Sequence, residues 1–137
     1  MALTHLLDTS VLTRLRKPEI RAAIEPKALP GHLARAGISD LEVGYSARND
    51  SEWDRLAKAL EVFELIETTA EHVTRARQVQ RLLASRHQRG GKVPDLLIAA
   101  AAETRGLTVF HYDSDFDQIA AVTGQACEWV VPAGSVD

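Results

Sequence analysis

Five carboxylates in this sequence stand where an apolar run stops or starts. Asp8 follows Leu6-Leu7, Glu42 lies one turn beyond Gly37-Ile38, and Asp95 precedes Leu96-Leu97-Ile98-Ala99-Ala100-Ala101-Ala102. Asp113 and Asp115 follow the run from Leu107 to His111. A carboxylate kept beside apolar surface with no partner is costly. Acids gathered at one place repel unless protons or a hard cation neutralise them. The expected chemistry is therefore that of Mg²⁺ or Mn²⁺: lowering the pKa of a bound water, orienting a phosphodiester and stabilising its leaving oxygen. Other chemistries lack support. No serine sits in a nucleophile-elbow context, and the five histidines show no zinc spacing. Each acid also has a plainer reading. Asp8 can cap a helix, Glu42 can close a capping box with Ser39, Asp95 can answer a helix dipole, and Asp113 and Asp115 can be turn and cap residues. Asp117 is expected to be exposed within a helix.

For these acids to meet, the elements must alternate. Thr4 to Leu7 reads as a short buried strand, followed by a helix capped by Thr9 and Ser10 and running to about Arg16. Pro18, Pro26 and Pro30 predict a broken connection with a short helix at Glu19 to Ile24. A second strand is expected at His32 to Ile38, then a helix from Asp40 to about Arg48 with Ser39 as N-cap. Glu52 to Leu60 reads as a helix, Val62 to Ile66 as a strand, and Ala70 to about Gln88 as the longest helix. On that helix Val73, Ala76, Val79 and Leu83 share one face. Gly90-Gly91 ends it, and Pro94 opens a helix to Arg105 that is apolar nearly all round. Leu107 to His111 is a strand, Phe116 to Val122 a helix and Glu128 to Val131 a last strand. Alternation of this kind predicts an α/β/α sandwich with a mainly parallel sheet of about four to five strands. Right-handed crossovers then bring every strand's C-terminal end to one edge, where ligands of open α/β sheets collect.

The chain has 137 residues, enough for one domain with a core, taken as 1–137. Its longest apolar run, Leu96 to Ala102, is far short of the roughly 20 residues that span a membrane. No signal peptide is visible at the start. Cys127 is the only cysteine, which excludes an intrachain disulfide and fits a reducing cytoplasm. It is expected to be a small buried residue in the last strand. A net charge of −3 argues against nucleic-acid binding by bulk charge, but the distribution is uneven. Between Val73 and Pro94 stand Arg75, Arg77, Arg81, Arg86, Arg89 and Lys92, with no acid among them. A basic segment beside an acidic site suits a polyanion; it also suits a solvated helix face.

Four segments together carry a resemblance over essentially the whole chain. They are Leu6-Leu7-Asp8-Thr9-Ser10-Val11-Leu12, Ile38-Ser39-Asp40-Leu41-Glu42-Val43-Gly44, Pro94-Asp95-Leu96-Leu97-Ile98-Ala99-Ala100 and Tyr112-Asp113-Ser114-Asp115-Phe116-Asp117. In this order and spacing the chain resembles PIN-domain ribonucleases, and specifically the VapC toxins of type II toxin–antitoxin pairs. The resemblance implies that Asp8, Glu42, Asp95 and Asp113 are the four site acids, with Asp115 close by, and that Ser10 orients the first acid or a bound water. It implies an endoribonuclease using Mg²⁺ or Mn²⁺, with the ion on Asp8, Asp95, Asp113 and Asp115 and water as nucleophile. Arg86, Arg89 and Lys92 become candidates for holding the RNA backbone. A cognate antitoxin, a homodimer and a larger toxin–antitoxin assembly are implied as partners, with no membrane. One position departs from the pattern: His111 stands where many relatives carry Thr or Ser. The rival readings are an aspartyl phosphotransferase, disfavoured by Ser10, a receiver domain, disfavoured by the missing late lysine, and a non-catalytic module whose acidic cleft binds a basic partner peptide.

Overall fold

The computed structural model describes residues 2–88 and 91–137. Among them five strands form one sheet in the order β3-β2-β1-β4-β5, with every neighbouring pair parallel. The strands are β1 (His5–Leu7), β2 (Leu33–Ala36), β3 (Glu64–Ile66), β4 (Thr108–His111) and β5 (Cys127–Trp129). The helices are α1 (Thr9–Leu12), α2 (Pro18–Ala28), α3 (Gly37–Gly44), α4 (Asp50–Leu60), α5 (Ala70–Ser85), α6 (Val93–Arg105) and α7 (Asp115–Thr123). The expected parallel α/β/α sandwich is what forms.

Alternate side chains along the central strands feed two cores. Leu6, Ala34 and Val109 pack with Ala76, Val79, Leu83, Ile98 and Phe116 under α5, α6 and α7. Leu7, Leu33 and Phe110 pack with Val11, Ile20, Ile24, Val43 and Leu60 under α1 to α4. This period of two is why short strands with few polar residues are buried on both faces.

Several local expectations need correction. The first helix stops at Leu12, well before Arg16. Pro18 holds Lys17 in an extended conformation (φ −75°, ψ 127°), so a new helix starts there. That helix then runs through Pro26 to Ala28, longer than the expected Glu19–Ile24 piece. A proline near the end forfeits one backbone donor, while Ile20 and Ile24, one turn apart, anchor the helix to the core. The second strand ends at Ala36, and Gly37 already opens α3, so Ser39 lies inside the helix and does not cap it. α3 closes at Gly44, short of Arg48. On α5 the buried stripe is His72, Ala76, Val79 and Leu83, with Val73 exposed. His72 takes the inward place because its Nδ1 accepts the Thr69 N–H while its own N–H donates to Thr69 Oγ1, each at 3.2 Å. α5 ends at Ser85; of the expected Gly90-Gly91 stop, Gly90 lies outside the described residues. The last strand starts at Cys127 and ends at Trp129, and Cys127 is half-buried, its thiol pushed up to about 12 by burial. Gly106 closes α6 at φ 66°, a left-handed conformation that glycine adopts without strain.

Arg35 of β2 holds this face together. Its guanidinium pairs with Asp40 at 2.8 Å, donates to the Leu60 carbonyl at 2.9 Å and also reaches the Phe63 carbonyl. It thereby ties the start of α3 to the end of α4.

Candidate active site

The chain order runs outward from β1 through β2 and β3 on one side, and from β4 to β5 on the other. α1 to α4 therefore cover one face and α5 to α7 the other. A crevice opens where the two directions part, between the C-terminal ends of β1 and β4. Asp8 immediately follows β1, and Asp113 follows β4 by two residues. Asp95 arrives from the first turn of α6, and Asp115 is the first residue of α7.

One carboxylate oxygen from each of Asp95, Asp113 and Asp115 lies within 4.8 Å of the others. Asp8 is 2% exposed. Its Oδ2 accepts the Ser10 N–H at 3.0 Å and the Ser10 hydroxyl at 2.5 Å, which makes it the N-cap of α1. Its Oδ1 has no hydrogen-bond partner among the described residues. Burial raises the Asp8 carboxyl above the usual range, against the Ser10 bonds, and Asp113 adds to the rise. Asp95 is pushed up to about 7, by burial first and then by Asp8 and Asp113. The acids therefore feel one another's charge.

Donor chemistry and geometry both fit a hard divalent ion. The set is all carboxylate oxygen, one oxygen of Asp8 lacks a partner, and the cluster opens to water on one side. The cluster already attracts a cation. Lys92 Nζ stands 3.5 Å from Asp113 Oδ2 and 3.6 Å from Asp115 Oδ2, and its pKa is raised, chiefly by Asp113.

Ser10 joins the two sides of the crevice. Its oxygen donates to Asp8 and accepts the Tyr112 N–H at 2.9 Å. Ser10→Ala strands that partly buried N–H and frees Asp8. A loss of about 1–3 kcal/mol is expected in urea unfolding. Metal affinity, read by titration, should weaken by about 10–100-fold. Unchanged metal affinity would remove Ser10 from the site.

Glu42 and Ser39 do converge, but on Thr9 and not on the N-terminus of their own helix. Thr9 Oγ1 donates to Glu42 Oε1 at 2.6 Å. A hydroxyl has one proton, so at the 2.8 Å contact with Ser39 Oγ the serine donates. Glu42 is thus held by Thr9, the residue after Asp8, and is not one of the three acids that close on each other.

His111 holds the turn after β4 with a ring nitrogen. Its Nδ1 accepts the Asp113 N–H at 3.2 Å, which leaves the ring proton on Nε2. Burial lowers its pKa, so it is neutral there, stacked on Phe116 at 5.0 Å between ring centroids. Asp113 Oδ1 in turn accepts the Asp115 N–H at 2.9 Å, which aims the two acids together.

The PIN domain family model matches residues 5–122. The chain belongs to the PIN-domain family. It is 64% identical to Ribonuclease VapC51 of Mycobacterium tuberculosis, over 100% of both chains. It is 41% identical to Ribonuclease VapC18 of the same organism, covering 95% of this chain and 97% of that one. Among solved structures, the DNA-bound VapBC of Salmonella typhimurium superposes with a TM-score of 0.76 at 19% identity, covering 94% of this chain and 99% of that chain, which is a likeness of fold. VapBC-5 of M. tuberculosis gives a TM-score of 0.62 at 26% identity, covering 93% and 96%.

Within this PIN domain the three cations expected along RNA fare differently. Lys92 lies on the acids themselves. Arg86 is exposed beyond the end of α5 and makes no contact with the cluster. Arg89 lies outside the described residues. Arg75, from the same basic segment, is spent on Glu103 of α6 at 2.6 Å. Asp117 is exposed as expected and accepts from Trp129 Nε1 at 3.2 Å. Reading the sequence alone missed Thr9 as the holder of Glu42. A hydroxyl directly after Asp8 was the one available hint of Thr9.

Proposed function

We propose that this PIN domain, spanning 1–137, is a Mg²⁺- or Mn²⁺-dependent endoribonuclease, the toxin of a toxin–antitoxin pair. The observation that carries the reading is the closure of Asp95, Asp113 and Asp115 to within 4.8 Å at the crevice where Asp8 also ends its strand. The relatives named as VapC ribonucleases, similar over nearly their full length, support it. β5 lies beyond the matched residues 5–122 yet pairs with β4, which supports one domain over the whole chain.

In this reading Asp8, Asp95, Asp113 and Asp115 hold the ion. When bound, it supplies Lewis-acid chemistry at a phosphodiester and makes water a competent nucleophile near neutral pH. The chain's own residues set the geometry. Ser10 aims Asp8, His111 and the Asp113 turn aim Asp115, and Thr9 keeps Glu42 where it can bind the ion or accept a proton from the attacking water. Attack in line on phosphorus leaves a 5′-phosphate and a 3′-hydroxyl. Lys92 is drawn to the acids and, once an ion takes over their charge, is free to meet an RNA phosphate together with Arg86 and Arg89. The reading also brings a cognate antitoxin whose basic tail answers the acids, a homodimer, and a reducing cytoplasm, which the lone Cys127 fits. No helix among the described residues is long and apolar enough to cross a membrane.

The test is cleavage of labelled total RNA by purified protein in Mg²⁺, in Mn²⁺ and in EDTA. Discrete products that need the metal are expected. No cleavage by folded, antitoxin-free protein in any of the three would leave the cleft as a binding site for a basic peptide.

A further inference from the structure

Beside the acids, on the side of α1 and α2, lies a cleft of about 540 Å³ whose walls include the cations Arg14, Arg16 and Lys17 and the acids Glu19 and Asp137. Three cations face two acids there, and only Glu19 remains against them once the exposed Asp137 gives way. The two sites share a wall. Arg14 Nη1 donates to the Ser10 carbonyl at 2.7 Å, and its guanidinium lies 5.0 Å from the centre of the Tyr112 ring. Ser10 bonds Asp8, and Tyr112 directly precedes Asp113.

The cleft already receives oxygen ligands from this chain. Arg14 Nε donates to the Asp137 main-chain oxygen at 2.7 Å, and Lys17 Nζ lies 3.8 Å from Asp137 Oδ2. The Asp137 carboxylate itself is fully exposed, so its hold is weak and an incoming anion can displace it. The segment that places it is anchored by Tyr112, whose hydroxyl donates to the Val136 carbonyl at 2.7 Å and accepts the Val136 N–H at 3.0 Å.

We propose that this cleft is a phosphate subsite, in which Arg14, Arg16 and Lys17 seat a backbone phosphate of RNA flanking the one that is cut. The inference rests on the ribonuclease reading and adds a second contact to it. A nucleic-acid strand carries a charge at every nucleotide, and cations beside a catalytic centre bind it without reading sequence. Acids alone would repel the substrate, and the three cations sharing their wall, with Asp137 displaced, offset that repulsion.

The experiment compares Arg16→Ala/Lys17→Ala with Arg77→Ala/Arg81→Ala, which removes the same charge from exposed positions on α5, across the sheet. Both pairs are placed in an Asp95→Asn background, and binding of a fluorescently labelled 20-nucleotide mixed-sequence RNA is followed against salt. The Arg16/Lys17 pair is expected to weaken binding by about tenfold near 0.1 M salt and to lower the salt slope by about 1. In the otherwise wild-type protein, the same pair should raise KM about tenfold with kcat within about twofold. Affinity and slope equal to those of the Arg77/Arg81 control would overturn the subsite. Failure of the parent protein to cleave RNA at all would instead overturn the ribonuclease reading, whatever the binding shows.

Discussion

Asp95→Asn should abolish RNA cleavage and, in EDTA at pH 8, make the protein more stable. Both effects follow from the same carboxylate. Cleavage should fall at least about 10³-fold, because the acids act as a unit and losing one disables the rest. The stability effect has a definite sign. In the folded protein Asp95 keeps its proton up to about 7, held there by burial and by Asp8 and Asp113. In the unfolded chain it loses that proton near 3.9. Between these values the native state binds more protons, so the Asp95 contribution to stability falls as pH rises. At pH 8 the native chain carries the full cost of the charge. Such a shift is worth about 4 kcal/mol in a dry site, and about 2 kcal/mol is expected in one open to water. Asparagine is isosteric, keeps an acceptor for the Lys92 N–H at 3.2 Å and has no charge to bury. Its melting temperature at pH 8 should therefore exceed that of the wild type by roughly 6 °C, with little difference at pH 4. Saturating Mn²⁺ should reverse the order, raising the wild type by about 2.7 kcal/mol at 100 times Kd and leaving the variant unmoved. Thermal melts in EDTA and in Mn²⁺ across pH 4–8 check this. A variant that cuts RNA at the wild-type rate, or melts lower at pH 8, would sink the assignment.

Phe116→Ala should be the costliest change away from the acids. Phe116 is fully buried at the first turn of α7, within the core beneath α5 and α6, and its ring stacks on His111 with 28° between planes. Removing it leaves a cavity in a packed interior, and about 3–5 kcal/mol is expected. The damage should reach the site. His111 Nδ1 holds the Asp113 N–H, and α7 begins at Asp115, so a loosened His111 blurs the geometry of two acids. Metal affinity should fall with stability. Phe116→Leu, which keeps most of the volume, should lose less than half as much of each. Urea unfolding with an unchanged m-value, together with metal titration, separates these outcomes. An alanine variant that loses stability but binds Mn²⁺ normally would show that His111 does not depend on Phe116.

The sequence by itself determined which residues stand at the ends of which elements. Asp8 after an apolar pair, Asp95 in the first turn of an apolar helix behind Pro94, Gly106 as its stop, and Asp113 and Asp115 after a strand were all legible. Each depends on contacts within about four residues: caps, turns and hydrophobic period. Expectations slipped where a local rule met a distant partner. Ser39 and Glu42 have capping-box spacing, but Gly37 had already opened the helix and both side chains went to Thr9, some thirty residues away in sequence. Val73 has the inward period on α5, yet His72 faces inward because its ring bonds back to Thr69. The place of Lys92 against Asp113 and Asp115 likewise follows from the return of β4 beside β1, which no local rule contains. Nothing local marks Arg14, Arg16 and Lys17, which share a cleft with Val136 and Asp137 only in the folded chain. Tertiary structure alone decided these meetings. A side chain's local partners are given by helical and strand geometry, whereas its partners thirty or a hundred residues away exist only once the right-handed crossovers have stacked the strands in register.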